Sequence, residues 1–253
     1  MEIELFIARS DNYGVLIRDP ASGKVAAIDA PDFAAIDAAL QRRGWKLDTI
    51  LVTHRHFDHI EGIPDLVAKY GATVIAPAKA RSEVPGADRY VDEGDAVEIG
   101  TMKADIWAVP GHCSDHIAYH FAGEKVIFVG DVLFVMGCGR VQPGQMDRMW
   151  TSLSRLMALP GDVRLLGGHD YTLSNARFAR SVDSGNEALK ARFAEAETAK
   201  AEGRFWALTT VAAEKATNPF FRAAEPALAK AVGLAGAAPG EVFAALREAK
   251  NRF

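Results

Sequence analysis

The sequence predicts an α/β protein whose C-terminal part is mainly helical, and three observations carry that prediction. Over roughly the first two thirds of the chain, short β-branched apolar runs alternate with segments of helical periodicity, the pattern of strands and covering helices. After His169 the strand signals largely disappear, and Ala, Glu, Lys and Arg dominate as far as Gly203. A boundary is therefore expected near Asp170, giving domains 1–170 and 171–253. Finally, His54, His112, Asp131 and His169 each follow an expected strand or a Gly-containing turn. Loops at one rim of packed sheets would each contribute a group or two to one site.

The first strands are read at 3–7, 15–17 and 25–28, the last two joined by a turn at Ser22-Gly23. Asp32 can cap a helix that buries Phe33, Ile36 and Leu40 and stops near Gly44. A short buried strand at 49–53 delivers the block that follows it. A helix over 64–70 closes at Gly71, and a strand follows at 73–76. Alternation from Val97 to Ala108 around Gly100-Thr101 reads as a hairpin, and 117–121 with 126–129 as another, which delivers Gly130-Asp131. A helix over 146–159 stops at Pro160-Gly161, and 163–166 leads to Gly168-His169. In the last part, helices are expected at 172–182, 186–202, 210–216, 222–232 and 241–253.

Composition narrows the function. At 253 residues, with 49% hydrophobic and 25% charged residues, the chain is an ordinary globular protein. Its formal charge of -4 gives no electrostatic reason to expect nucleic acid or an anionic membrane as partner. Two cysteines, Cys113 and Cys138, make no disulfide framework, so a reducing compartment is the simpler reading. The start lacks the basic and long apolar regions of a signal peptide, and the longest apolar run is broken by Asp131. A cytoplasmic monomer is expected.

The chemistry is concentrated in Thr53-His54-Arg55-His56-Phe57-Asp58-His59, where four metal-capable side chains stand within six positions. With His112, Asp131 and His169 downstream, the donors outnumber the needs of one tetrahedral ion and suit two ions sharing a carboxylate. Imidazole and carboxylate accept zinc, iron or manganese, and no thiolate is required.

This block resembles the T-H-x-H-x-D-H signature of the metallo-β-lactamase fold superfamily, and within it the chain resembles glyoxalase II, the hydroxyacylglutathione hydrolases. The likeness runs through Asp11-Asn12-Tyr13, Pro110-Gly111-His112, Val129-Gly130-Asp131, Gly137 to Arg140 and Gly168 to Thr172. It continues through Asn175, Asn218-Pro219-Phe220 and Arg247 to Lys250. The resemblance implies a four-layer αβ/βα sandwich followed by an all-helical domain that binds glutathione. It implies that His54, His56 and His112 hold one metal, Asp58, His59 and His169 the other, and that Asp131 bridges them. Asp58 and Asp131 are thereby the catalytic carboxylates, and two divalent ions, zinc first and iron or manganese as alternatives, are the cofactor. A hydroxide shared by the metals would hydrolyse S-2-hydroxyacylglutathione, typically the lactoyl thioester, to glutathione and a 2-hydroxy acid, the second step of methylglyoxal detoxification. Arg140, Tyr171, Arg247 and Lys250 are the implied glutathione contacts.

By the same resemblance His116 is not a ligand, and His120 alternates into a strand, where a structural or exposed role is favoured. Two departures from the family pattern stand out. Gln142 takes a position where an aromatic residue is usual, and Glu61 follows the signature where small residues are common. Two alternatives remain: a glutathione persulfide dioxygenase of the same superfamily, and a non-catalytic module that binds glutathione or metal. A lactonase or β-lactamase would have no use for Tyr171, Arg247 and Lys250.

Overall fold

The computed structural model describes every residue, Met1–Phe253. The chain forms two compact units, one of Met1–Ala108 with Cys113–Gly130, the other of Val109–His112 with Asp131–Phe253. The boundary expected at 170 falls inside the second unit.

In the first unit, β1 (Glu2–Ala8), β2 (Asn12–Arg18) and β3 (Val25–Ile28) run antiparallel, Glu2 opposite Arg18 and Val15 opposite Ile28. Helix α1 (Phe33–Arg43) then carries the chain to β4 (Thr49–Leu51), which joins β3 in parallel with Ala26 opposite Thr49. The crossover works because the helix is well bounded. The Asp32 carboxylate accepts from the Ala35 amide at 2.7 Å, a cap worth about 1 kcal/mol, and Gly44 ends the helix at φ 64°.

The short helix α2 (Phe57–Ile60) and then α3 (Ile63–Tyr70) lead to β5 (Thr73–Pro77), and β6 (Arg89–Val91) completes the parallel half of the sheet. Neither α2 nor β6 is announced by the sequence. Both are too short for periodicity to register.

The helices cover one face of this sheet, burying Ile36, Leu40 and Leu66 against Leu16, Ile50 and Val74. A second, antiparallel sheet follows from β7 (Ala96–Ile99), β8 (Met102–Ala108), β9 (Ile117–Phe121) and β10 (Val126–Gly130). Hydrogen bonds stitch the two sheets together. The fully buried Tyr119 donates its hydroxyl to Val52 O at 2.8 Å, and the Ile117 amide reaches Thr53 O at 2.9 Å. The strand carrying the metal-capable block is thereby held from both sides.

The second unit opens with a tight hairpin, β11 (Leu133–Phe134) and β12 (Gly137–Cys138), Leu133 opposite Cys138. Helix α4 (Met146–Met157), strand β13 (Arg164–Gly167), helix α5 (Thr172–Val182) and helix α6 (Glu187–Ala201) follow. Strand β14 (Leu208–Thr210) pairs antiparallel with β13 and leads into α7 (Val211–Thr217), α8 (Pro226–Ala231) and α9 (Pro239–Arg252).

Two expectations are corrected here. The helix expected from 210 is preceded by a strand, and Thr210 is its cap, accepting from the Ala213 amide at 3.2 Å. The helix expected from 222 starts at Pro226, because proline suits the first helical position and the preceding residue stays extended. No helix is long and apolar enough to cross a membrane.

Candidate functional site

In the first unit the site grows from the ends of two neighbouring parallel strands. β3 ends at Ile28, just before Asp29, and β4 at Leu51, and the Asp29 amide donates to Leu51 O at 2.9 Å. Asp29 sits at φ 60°, a left-handed conformation that aspartate tolerates better than most residues. Its carboxylate accepts from the Thr53 amide at 2.6 Å, from the Thr53 hydroxyl at 2.8 Å and from His59 Nδ1 at 2.8 Å.

These bonds decide the tautomers. Thr53 has one hydroxyl proton, and it is given to Asp29. Its oxygen therefore accepts from His54 Nδ1, 3.0 Å away, and the His54 lone pair lies on Nε2. His59 donates Nδ1–H to a carboxylate, so its lone pair lies on Nε2 as well.

His54 and His56 lie on extended backbone two residues apart, which turns them to the same side. His54 Nε2 and His56 Nδ1 stand 3.1 Å apart. Two nitrogens on one tetrahedral ion ~2.0–2.1 Å away would stand roughly 3.3 Å apart. The pair therefore has the spacing of ligands to one ion. Past His56 the chain turns into α2, which carries Asp58 and His59, with His59 Nε2 3.6 Å from Asp58 Oδ2. Asn12 holds Asp58 from behind, donating to its Oδ2 at 3.0 Å and its backbone oxygen at 3.1 Å.

His116 is buried and stacks on His54 at 4.5 Å between ring centroids, with its Nδ1 turned to Ile117 O at 3.0 Å. His120 sits within β9 against Trp107, and burial lowers its pKa. The Cys113 thiol stands with the His54 and His56 donor atoms, all within 4.8 Å of one another, and burial raises its pKa well above the ordinary thiol value.

In the second unit, His112, Asp131 and His169 come together. Asp131 Oδ2 lies 3.5 Å from His112 Nε2 and 3.3 Å from His169 Nε2. One carboxylate oxygen thus faces two imidazoles. His112 donates Nδ1–H to Arg140 O at 2.8 Å, which puts its lone pair on Nε2. A side chain at Gly139 would collide with Asp131 O, so glycine is required for that close approach. The His169 and Tyr171 rings stack at 5.0 Å, and Phe134 meets both edge-on.

The same unit contains a cavity of about 620 Å³ lined by Arg140, Tyr171, Ser174, Arg177, Arg247 and Lys250, with His112 and Asp131 also on its wall. Arg247 is buried, and its Nη1 donates to Cys138 O at 2.8 Å while Nη2 donates to Asn251 Oδ1 at 3.1 Å. Lys250 donates to Ser174 O at 3.0 Å and to Ser174 Oγ at 2.9 Å. Desolvation, reinforced by the Arg247 charge, lowers the Lys250 pKa to about 8. Gln142 is not among the lining residues; its amide donates to Gly111 O at 3.0 Å. Glu61 lies elsewhere too, paired with Arg9 in the first unit.

The donor chemistry of each set, imidazole and carboxylate, fits divalent metal ions. Sequence reasoning missed Asp29 and Arg177. Asp29 carried one signal, its place at the end of a strand expected beside the block. Arg177 carried none, since a lone arginine on an exposed helix looks like any other.

The metallo-beta-lactamase superfamily model matches residues 9–169, and the model described as hydroxyacylglutathione hydrolase C-terminus matches residues 170–253. A protein named hydroxyacylglutathione hydrolase from Methylobacterium sp. (strain 4-46) is 56% identical, the match covering 100% of this chain and 99% of the relative. The chain belongs to the hydroxyacylglutathione hydrolase family. A second member, from Rhizobium meliloti (strain 1021), is 47% identical, with 100% and 99% covered. Among solved structures, ETHE1 from Myxococcus xanthus aligns with a TM-score of 0.70 and 27% identity, covering 98% of this chain and 90% of that one. The fold is that of the metallo-beta-lactamase superfamily, extended by the helical C-terminal region of the hydroxyacylglutathione hydrolases.

Proposed function

We infer that this protein is a metal-dependent thioester hydrolase that converts S-2-hydroxyacylglutathione, typically the lactoyl thioester, to glutathione and a 2-hydroxy acid. The observation that carries the reading is full-length identity of 56% with a hydroxyacylglutathione hydrolase, in a chain whose second unit combines a cationic pocket with His112 and Asp131. His54, His56 and His112 are proposed to hold one ion and Asp58, His59 and His169 the other, with Asp131 shared. Zinc is the proposed metal, and iron or manganese would suit the same donors. Bound ions supply Lewis acidity at the thioester carbonyl and lower the pKa of the attacking water.

The remaining work falls to the chain itself. Asp29 and Thr53 hold His54 and His59 in the tautomers that carry the lone pair on Nε2. Arg140, Tyr171, Arg247 and Lys250 are proposed to hold the tripeptide, whose two carboxylates suit paired cations. The thiolate leaving group has a pKa of roughly 8.5 and departs without a dedicated acid. Two free, buried thiols support a cytoplasmic location, and a monomer is proposed.

The test is direct. Purified, metal-containing protein should release glutathione from S-lactoylglutathione, and Asp58→Ala and Asp131→Ala should abolish turnover. Oxygen uptake with glutathione persulfide and no thioester cleavage would assign the dioxygenase reading instead.

A further inference from the structure

The substrate pocket holds more positive charge than the implied contacts account for. Arg140, Arg177, Arg247 and Lys250 all line it, and Asp131, a proposed metal ligand, is the sole acidic side chain on its wall. The cations differ in how their donors are used. Arg247 is committed to the carbonyls of Cys138 and Gly139 and to Asn251, and Lys250 to Ser174. Lys250 is also depressed to about 8, so it gives up its charge just above neutral pH. Arg177 differs from both, and shares with Arg140 an exposed guanidinium that no protein group engages. It projects from α5 one turn beyond Ser174, is exposed, and makes no hydrogen bond or ion pair within the protein. All five N–H donors of its guanidinium remain for a ligand, in a planar fork that matches a carboxylate.

We propose that Arg177 is a specificity-determining residue that grips one of the two carboxylates of glutathione. The inference rests on the glutathione-thioester reading but names a contact which that reading does not contain. In this arrangement Arg247, buried and fixed by backbone carbonyls, is a contact already set in place before the ligand arrives. Arg177, free at the rim, closes on the ligand. Its role is in binding, with no part in the chemical step, so its loss should appear in affinity and KM and leave kcat alone.

The test is calorimetric binding of glutathione to the metal-containing protein for the wild type, Arg177→Glu, Arg177→Lys and a control, Arg180→Glu. Arg180 lies on the same helix, stacked on Phe193 at 4.8 Å, and does not line the pocket. Arg177→Glu should weaken binding about tenfold or more, Arg177→Lys less, and Arg180→Glu within about twofold of wild type. KM for S-lactoylglutathione should follow the same order. Repeating the titration with the glycyl monoethyl ester of glutathione, which lacks the glycyl carboxylate and creates no new one, identifies the group held. If the Arg177→Glu effect vanishes it is the glycyl carboxylate, and if it persists it is the γ-glutamyl one.

Equal effects of Arg177→Glu and Arg180→Glu would mean bulk electrostatics and overturn the proposal, as would wild-type affinity in Arg177→Glu. The hydrolase reading fails separately, by wild-type protein that binds glutathione but leaves the thioester intact.

Discussion

Asp29 carries more of the metal site than its position suggests. One carboxylate fixes the Thr53 amide and hydroxyl and the His59 ring, and through Thr53 it fixes His54. Partners that orient a ligating imidazole typically contribute 10–100-fold in metal affinity. Asp29→Ala should therefore weaken metal binding by about that factor, measured by competition with a chelator. Unchanged affinity would show that the rings are held by packing alone. Lys250 makes a second prediction at this scale. Its pKa is lowered to about 8, so its charge is present below that pH and lost above it. Glutathione's carboxylates stay ionised throughout this range. KM should thus rise as pH passes about 8, while Lys250→Arg, which stays charged, should flatten the rise. A wild-type KM that is level through this range would remove Lys250 from substrate binding.

At the scale of elements, the β11–β12 hairpin depends on helices far along the chain. Met136 occupies φ 55°, which is uncommon for a non-glycine residue. Its amide is held by the fully buried Glu214 carboxylate at 2.9 Å, which also accepts from Asn218 at 2.8 Å and pairs with Arg192 at 2.7 Å. Asn218 in turn donates to Gly137 O at 3.0 Å, and Asn175 donates to Val135 O at 3.2 Å. This clamp holds the loop whose carbonyls seat Arg247 and whose Arg140 O orients His112. Glu214→Ala leaves the Arg192 charge buried without its partner and should cost about 3–5 kcal/mol, read from a urea unfolding curve. A loss within ~0.5 kcal/mol would show that the network is dispensable. Asn218-Pro219-Phe220 is visible in the sequence as a motif, but its purpose is not. Glu214 lies 78 residues from Met136, and only the folded chain brings them together.

For the whole molecule, local signals and long-range ones separate cleanly. The His/Asp block is legible because four donors crowd into six positions, and the strand before it because its residues are continuously apolar. Asp29 is silent because its role depends on β3 lying parallel to β4, a pairing that crosses α1. Arg177 is silent because helical spacing says nothing of which exposed residues face a cavity. Strand β14 is missed because three residues, Leu208–Thr210, carry too little alternation to compete with the helical pattern around them. Metal should matter to the stability of the chain as well as to its chemistry. A ligand bound only by the folded state, at 100 times its dissociation constant, contributes about 2.7 kcal/mol. Stripping the metal should lower the melting midpoint by roughly 5–10 °C for a domain of this size, seen by calorimetry. An unchanged midpoint after verified metal loss would mean that the donor sets are held without ions.

The central claim, a metal-dependent hydrolase of glutathione thioesters, is tested most directly by elemental analysis of the purified protein joined to thiol release from S-lactoylglutathione. The account predicts about two divalent ions per chain and steady release of free glutathione, with both ions and turnover reduced in Asp131→Ala. Fully metal-loaded protein that leaves the thioester intact would contradict it.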